Sequence, residues 1–169
     1  MTMALNKYFI DANVLIQAWQ KYYSPKICPD YWKRLDELGA KNVILLPEMV
    51  YEEIARTEDD LSDWLKKSNI KKSKITENVT SCLKDIYLKN EKHKLLVDNR
   101  RGRSLADPWL IAHAMSENAI VVTKESLITQ LNSKTIRIPN VCNNMRIRWI
   151  DDFEFIQELN FHFSCTIND

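Results

Sequence analysis

Short runs of apolar residues, each ended by turn-forming or polar residues, divide the chain into candidate strands. The clearest runs cover residues 8–10, 43–46 and 119–122. Runs of this kind are typical of strands that are buried on both faces of a parallel sheet. Two further runs, 136–138 and 147–150, predict one more strand and a weaker last one. The pattern therefore predicts about five strands.

Apolar residues at helical spacing fill the segments between these strands. In the segment 76–89, for example, Val79, Leu83 and Ile86 recur on one face of a helix. Another helix is expected to open at Asp107 as its N-cap, because Pro108 suits the first helical position. The other predicted helices cover residues 13–20, 30–38, 48–56, 59–67 and 152–160. Strands that alternate with helices predict parallel pairing, right-handed crossovers and an α/β sandwich.

Length and composition favour one domain over several. A chain of 169 residues with 45% hydrophobic content is long enough for one well-filled core. The chain has only 2 glycines and no stretch rich in Ser, Gly and Pro, so nothing predicts a linker. We expect residues 1–169 to form a single domain. No apolar run approaches the roughly 18–20 residues of a membrane span, and Lys7 interrupts the apolar start, so we expect a cytoplasmic protein.

Several common catalytic and metal-binding motifs are missing from the sequence. There is no C-x-x-C pair, no H-x-x-x-H, no G-x-S-x-G and no glycine-rich phosphate loop. Zinc knuckles, serine hydrolases and glycine-loop nucleotide binding are therefore disfavoured. We expect the four cysteines to be buried or incidental thiols. The five tryptophans are assigned to core packing rather than to base stacking.

The overall charge of +1 provides no strong field that would attract a polyanion. Contact with a nucleic acid would have to be local. Three groups of basic residues are candidates, although each would also fit a solvated face. They are Lys66, Lys67, Lys71, Lys72 and Lys74, then Arg100, Arg101 and Arg103, and finally Arg137, Arg146 and Arg148.

Two acidic residues follow predicted strands closely. Asp11 comes directly after the first strand, and Glu125 comes two residues after Thr123 at the end of another. Ligand sites in parallel α/β sheets lie beyond the carboxyl ends of the strands, so both acids are expected at one rim. Glu53 and Asp107, each on a predicted helix, can point into the same space if those helices wrap the rim. Four carboxylates would then converge.

Converging carboxylates repel one another, and their pKa values rise unless a counter-charge is present. A hard divalent cation such as Mg²⁺ removes that cost and prefers oxygen ligands. Such an ion favours hydrolysis of a phosphodiester. Each acid also has a simpler explanation. Asp11 and Asp107 fit helix caps, Glu53 is one of three glutamates on its helix, and Glu125 fits a first-turn acid.

Four segments of the chain resemble the motifs of the PIN-domain nucleases. YFIDANVLI resembles the opening strand and turn, LLPEMVYEEI the second motif, ADPWLIAHA the third and AIVVTKES the fourth. In the second motif, the register of apolar positions places the family glutamate on Glu53 rather than Glu52. In the fourth, Glu125 stands where Asp is commoner, and Lys124 stands where Asn is often found.

The resemblance extends over nearly the whole chain. YYSPKICPDYWKRL and RIPNVCNNMRIRWIDDFEFIQEL are similar to segments of a bacterial PIN-like subfamily of unknown function, related to VapC-type toxins. The resemblance implies a three-layer PIN-like sandwich, with a central, mainly parallel sheet of about five strands flanked by helices. It also implies an endoribonuclease that depends on Mg²⁺ or Mn²⁺ and cuts single-stranded or structured RNA. Such proteins act as toxins of type II toxin–antitoxin pairs, with a cognate antitoxin and commonly as homodimers.

The same resemblance implies roles for individual residues. Asp11 and Asp107 would be the main metal ligands, Glu53 would bind the metal or orient its water, and Glu125 would complete the site from outside the direct ligands. Two polar residues, Asn13 and Thr123, would support the acids. Apart from the resemblance, the basic residues Arg100, Arg101 and Arg103, just before the ADPW segment, are the candidates for contact with substrate phosphates.

Three other functions remain open at this point. A catalytically weak PIN-like module that binds proteins is one, kept open by Glu125 and Lys124. A structure-specific DNA nuclease is another, because related folds carry the same acids in that role. A phosphatase with Asp11 as nucleophile is disfavoured, since Asn13 occupies the place where that chemistry usually has a second Asp.

Overall fold

A central sheet of five parallel strands organises the structure, a computed structural model that describes residues 6–97, 105–130 and 134–167. The strands are β1 (Tyr8–Ile10), β2 (Ile44–Pro47), β3 (Lys71–Ser73), β4 (Ile120–Val122) and β5 (Trp149–Ile150). Their order is β3-β2-β1-β4-β5, and every pair is parallel. The predicted α/β class with a mainly parallel sheet is confirmed.

Helices connect the strands and cover the sheet. Within the described ranges the α-helices are α1 (Ala12–Gln17), α2 (Pro29–Ala40), α3 (Glu48–Ala55), α4 (Asp60–Lys67), α5 (Glu77–Lys89), α6 (Asp107–Glu117), α7 (Ile138–Met145) and α8 (Asp152–Glu158). A π-helical segment, Ala18–Tyr22, continues α1, and a 3₁₀ helix, Glu91–Leu96, follows α5. Side chains of Asp59, Thr76 and Asp151 cap α4, α5 and α8 by accepting backbone N–H groups.

The middle of the sheet is the centre of the core. Tyr8 of β1 lies opposite Ile44 on one side and Ile120 on the other, and Ile10 lies opposite Val122. These strand residues are at most 5% exposed, as expected for strands covered on both faces. Helix α6 packs on β1, β2 and β4, and α5 packs on α6. This register brings the carboxyl ends of β1 and β4 side by side.

Three of the five tryptophans form an aromatic cluster, as the assignment to core packing predicted. The rings of Trp19 and Trp32 have centroids 4.7 Å apart, and those of Trp32 and Trp64 are 4.8 Å apart, both edge to face. The Trp32 indole N–H also donates to the Tyr23 carbonyl at 2.6 Å. These residues join α2, α4 and the π-helical segment.

The structure corrects two predictions about secondary structure. The prediction of a strand at 136–138 is wrong, because helix α7 begins at Ile138 and has Pro139 in its first turn. Strand β3 was not predicted, because Lys71–Ser73 is a polar, largely exposed edge strand without an apolar run.

Two simpler explanations of the acids are also corrected. Ala106, not Asp107, is the N-cap of α6, and Asp107 is the first helical residue. Glu125 lies in a loop and not in the first turn of a helix. Neither residue therefore occupies the helix position that the sequence suggested for it. No helix within the described ranges is long and apolar enough to cross a membrane.

Candidate active site

Asp11 lies where β1 ends and α1 begins. Its backbone N–H donates to the Val122 carbonyl at 2.9 Å, which continues the pairing of β1 with β4 by one residue. Its extended backbone makes it the N-cap of α1, and its Oδ1 accepts the Asn13 backbone N–H at 3.4 Å. Asp11 is only 3% exposed. The end of a buried central strand therefore presents a carboxylate.

Thr123 connects the ends of the two central strands. It follows β4 directly and is fully buried. Its hydroxyl donates to Oδ2 of Asp11 at 3.0 Å and accepts the backbone N–H of Glu125 at 3.2 Å. One hydroxyl thus orients the Asp11 carboxylate and shapes the loop that carries Glu125.

Glu125 faces the beginning of α7. Its Oε2 accepts the backbone N–H of Ile138, the first residue of that helix, at 2.8 Å. A carboxylate at this position is stabilised by the free N–H groups and the positive end of the helix. Burial, with a smaller contribution from Glu125, raises the pKa of the Cys142 thiol on the same helix.

Lys124 is directed away from the acids towards α8. Its Nζ lies 2.5 Å from Oδ2 of Asp152, and both side chains are mostly buried. The ammonium also lies over the Tyr22 and Phe153 rings, at 4.6 and 5.4 Å from their centroids. Lys124, which stands where Asn is often found in the PIN motif, therefore pairs with Asp152 and contacts the two aromatic rings.

Glu52 and Glu53 leave α3 in different directions. Glu52 pairs with Lys72 of β3, with Oε1 and Nζ 2.6 Å apart. Glu53 lines a cavity of about 150 Å³ together with Arg56 and Ala106, which directly precedes Asp107. Asp107 itself is 9% exposed. The structure thus brings Glu53 next to the beginning of α6.

The acids share one electrostatic field. The pKa of Asp11 is raised to about 6, first by burial, and the nearby charges of Glu125 and Glu53 raise it further. The hydrogen bonds from Thr123 and from the Asn13 backbone act in the opposite direction. Keeping Asp11 ionised at neutral pH therefore costs free energy in this site.

The carboxylate oxygens of the candidate site are chemically suited to bind a hard divalent cation. Carboxylate oxygens are the ligands that Mg²⁺ and Mn²⁺ prefer, and a cation would offset the repulsion at Asp11. In the described part of the chain, no three His, Cys, Asp or Glu side chains lie close enough together to hold a metal ion between them. Asp11, Glu53 and Glu125 interact through their charges, but the described residues do not form a closed cluster of three ligands.

Other residues of the expected site fall outside this group. Asn13 is exposed, and its contact with Asp11 is made by the backbone rather than by the side-chain amide. The three arginines expected to contact phosphates lie outside the described residues; they are Arg100, Arg101 and Arg103. Arg56 was not predicted but lines the Glu53 cavity. Its position three residues after Glu53 on a helix was the available signal.

Comparison with known sequences gives a family but no activity. Residues 8–163 match the family described as "Domain of unknown function (DUF4411)". No curated protein matches the sequence.

Comparison with solved structures concerns the fold. One similar solved structure is that of VapBC2 from Rickettsia felis, bound to a DNA fragment from the VapBC2 promoter. One of its chains superposes on this chain with a TM-score of 0.52 at 17% identity, and the match covers 85% of this chain and 97% of that chain. PAE2754 from Pyrobaculum aerophilum gives a TM-score of 0.48 at 14% identity, over 92% of this chain and 90% of that one. The VapBC2 likeness confirms the three-layer PIN-like fold.

Proposed function

Because the chain belongs to the DUF4411 family of unknown function, its activity has to be inferred from its own site, and we propose that this site belongs to a metal-dependent endoribonuclease. The reaction is hydrolysis of phosphodiester bonds in single-stranded or structured RNA. Its proposed acids are Asp11, Glu53, Asp107 and Glu125. The cation is Mg²⁺ or Mn²⁺.

The observation that carries the proposal is the environment of Asp11. A carboxylate that is 3% exposed and lies in the field of two further acids destabilises the fold. Such a costly arrangement at the carboxyl edge of a parallel sheet is typical of a functional site rather than of a structural one. A divalent cation is the simplest partner that offsets the cost.

The chain's own residues divide the work at this site. Asp11 and Asp107 are the proposed main ligands, and Glu53 binds the cation or orients water. Thr123 holds the Asp11 carboxylate, and Glu125 completes the site while Ile138 fixes its orientation. When bound, the cation lowers the pKa of a water molecule and offsets the charge that develops on the phosphate.

The sequence motifs also support a biological role as the toxin of a type II pair. We propose that the protein acts as a homodimer and that a cognate antitoxin protein neutralises it. Expression of the wild type alone should then slow bacterial growth, whereas expression of Asp11→Asn at equal levels should not. Equal growth of both strains, with equal protein levels, would contradict the toxin role.

The nuclease proposal is tested by incubating purified protein with mixed single-stranded RNAs in Mg²⁺, Mn²⁺ or EDTA. We expect cleavage only with a divalent ion, and none from the Asp11→Asn/Asp107→Asn double variant. Asp59→Asn is the matched control, because an asparagine keeps the N-cap acceptor of α4 and Asp59 is not one of the proposed acids. Matched DNA oligonucleotides test whether the substrate is RNA.

Metal binding provides a second measurement that does not depend on cleavage. Mn²⁺ should raise the melting temperature of the wild type and of Asp59→Asn, and leave that of the double variant unchanged. If the wild type cuts no RNA or DNA and gains no stability from either ion, the nuclease proposal is wrong and the binding-module alternative is favoured.

A further inference from the structure

A second cavity adjoins the candidate active site and shares Glu125 with it. Its volume is about 280 Å³, and it is formed by the loop after β4, by β5 and by the beginning of α8. Lys124, Trp149, Asp152 and Phe153 are among its lining residues. A ligand bound in this cavity would therefore lie next to a ligand bound at Glu125.

Two exposed aromatic side chains lie beside this cavity. Phe153, in its wall, is 51% exposed, and Tyr22 is 49% exposed. Their ring centroids are 6.4 Å apart, edge to face. Both keep about half of their surface in solvent, unlike the packed tryptophans of α2 and α4. Core packing therefore does not explain them, and exposed aromatic faces are the usual stacking surface for unpaired bases.

The backbone before α2 has an unusual form that carries one of these rings. Tyr22 is the last residue of the π-helical segment Ala18–Tyr22. Such turns are uncommon and are frequently found at functional sites. Here the segment places Tyr22 against Phe153 of α8 and against the Lys124 ammonium. Residues distant in sequence thus form one aromatic surface.

The charges in the cavity favour a base over a phosphate. Lys124 pairs with Asp152 at 2.5 Å, and Glu125 and Asp151 also line the cavity, so its lining offers no net positive charge to a phosphate. The ammonium and carboxylate still provide a donor and an acceptor beside an aromatic wall. That combination matches a flat heterocycle with a polar edge.

We propose that this cavity, together with Tyr22, is a subsite for one nucleobase of a single-stranded nucleic acid. The inference rests on the proposed nuclease function, which supplies the substrate. The base stacks on Phe153, with Tyr22 completing the aromatic surface and the Lys124–Asp152 pair beside its polar edge. Binding here positions the adjoining phosphodiester at the acids around Glu125.

The subsite is tested by equilibrium binding of a fluorescein-labelled RNA octamer in EDTA, where no metal-dependent cleavage occurs. Phe153→Leu and Tyr22→Leu should each weaken binding by about tenfold, the usual effect of losing one stacking ring. Phe153→Tyr should restore it. Phe163→Leu is the matched control, since Phe163 is 42% exposed and packs on Tyr23 and Tyr31 instead. Thermal unfolding checks that each variant is folded.

A scan with octamers that each lack one base sharpens the test. In the wild type, removal of the base at one position should weaken binding by about tenfold, and in Phe153→Leu the same removal should have little effect. Octamers of DNA, scanned in the same way, show whether the subsite distinguishes the sugar.

The outcomes separate the subsite from the nuclease. Equal affinity of wild type and Phe153→Leu, or no binding of the octamer by the wild type, overturns the subsite even if the protein cleaves RNA. Weaker binding by Phe153→Leu supports it even if no metal elicits cleavage, and then only the nuclease proposal fails. The Asp11→Asn/Asp107→Asn variant should bind at least as tightly as the wild type in EDTA while failing to cleave with metal.

Discussion

At the scale of single residues, Asp11 is where stability and proposed function conflict. Its folded pKa of about 6 lies above the ordinary value of 3.8, so the folded state favours the protonated acid. The resulting stability is complete below pH 3.8 and is lost as the pH rises through about 6. At pH 8 the penalty is of the order of 3 kcal/mol. The penalty is the physical reason to expect a cation partner.

Asp11→Asn should therefore stabilise the metal-free protein. At pH 8 in EDTA, we expect its free energy of unfolding to exceed that of the wild type by about 1–3 kcal/mol, because the buried charge is removed. Urea denaturation followed by circular dichroism measures this. The gain should vanish near pH 4, and Asp59→Asn should show no gain at either pH. A loss of stability in Asp11→Asn at pH 8 would contradict the assigned environment.

His113 is the second residue whose burial predicts a pH response. It lies in α6 against the Phe9 ring, and its Nδ1 is 3.3 Å from the Ser73 hydroxyl. Burial lowers its pKa below 6.5, whereas the nearby Glu117 and Glu48 act to raise it. As the pH falls through about 6.5 the unfolded chain takes up a proton first, so the folded state loses stability.

We expect His113→Gln to lose less stability than the wild type between pH 7 and pH 5. The difference between the two proteins isolates His113, because Asp11 acts in the opposite direction equally in both. The free energy of unfolding in urea at both pH values gives the result. His162→Gln, at an exposed position, is the control. Parallel pH profiles of wild type and His113→Gln would refute this role of His113.

At the scale of elements, the end of β4 is tied to three neighbours. Thr123 bonds to Asp11 after β1, Lys124 pairs with Asp152 at the first turn of α8, and Glu125 accepts from Ile138 at the beginning of α7. Successive side chains of an extended segment point in different directions, so three consecutive residues reach three elements. The loop after β4 therefore aligns the acidic site with the cavity beside it.

The buried Lys124–Asp152 pair should contribute more to stability than an exposed one. Asp152→Asn leaves the Lys124 ammonium buried without its counter-charge and should lower the free energy of unfolding by about 3 kcal/mol. Glu117→Gln, which breaks the exposed pair with Lys7, should cost less than about 1 kcal/mol. Chemical denaturation at neutral pH compares them. If both substitutions lower the free energy of unfolding equally, burial does not increase the contribution of the ion pair to stability.

At the scale of the whole molecule, the charge of +1 makes substrate attraction a matter of local contacts. Contacts between basic residues and phosphates release counterions, so RNA binding should weaken as salt rises. The slope of the logarithm of the binding constant against the logarithm of the salt concentration is proportional to the number of those contacts. The slope therefore tests whether the arginines between α5 and α6, which lie outside the described residues, contact RNA phosphates.

Replacing Arg100, Arg101 and Arg103 by glutamine should reduce that salt dependence. We expect weaker RNA binding at low salt and a slope smaller by about two to three, because up to three phosphate contacts are lost. Fluorescence anisotropy of labelled RNA between 50 and 200 mM salt, roughly the range in which such effects are large, provides the slope. Lys33→Gln/Lys41→Gln is the control, because both lysines are exposed and belong to none of the three basic groups. An unchanged slope would remove these arginines from the substrate path.

The sequence alone determined the strands of the sheet centre and the helices with clear ends. The apolar runs at β1, β2 and β4 bury both faces, so local composition and parallel pairing agree. The helices predicted over 76–89 and 152–160 are found as α5 and α8, which begin after the N-caps Thr76 and Asp151. The position of Asp11 at a strand end also followed from sequence, because a strand's carboxyl end is fixed once the strand is known.

Tertiary structure decided the features that depend on contacts distant in the chain. Strand β3 exists because β2 offers it a partner, since its own residues are polar. Residue 138 begins a helix, and its free N–H is bonded by Glu125 from another segment. Packing likewise decided the partners of the two neighbouring glutamates: Glu52 pairs with Lys72, whereas the charge of Glu53 acts on Asp11. Charge and burial at a site are sums over neighbours in space, and a linear pattern records only neighbours in sequence.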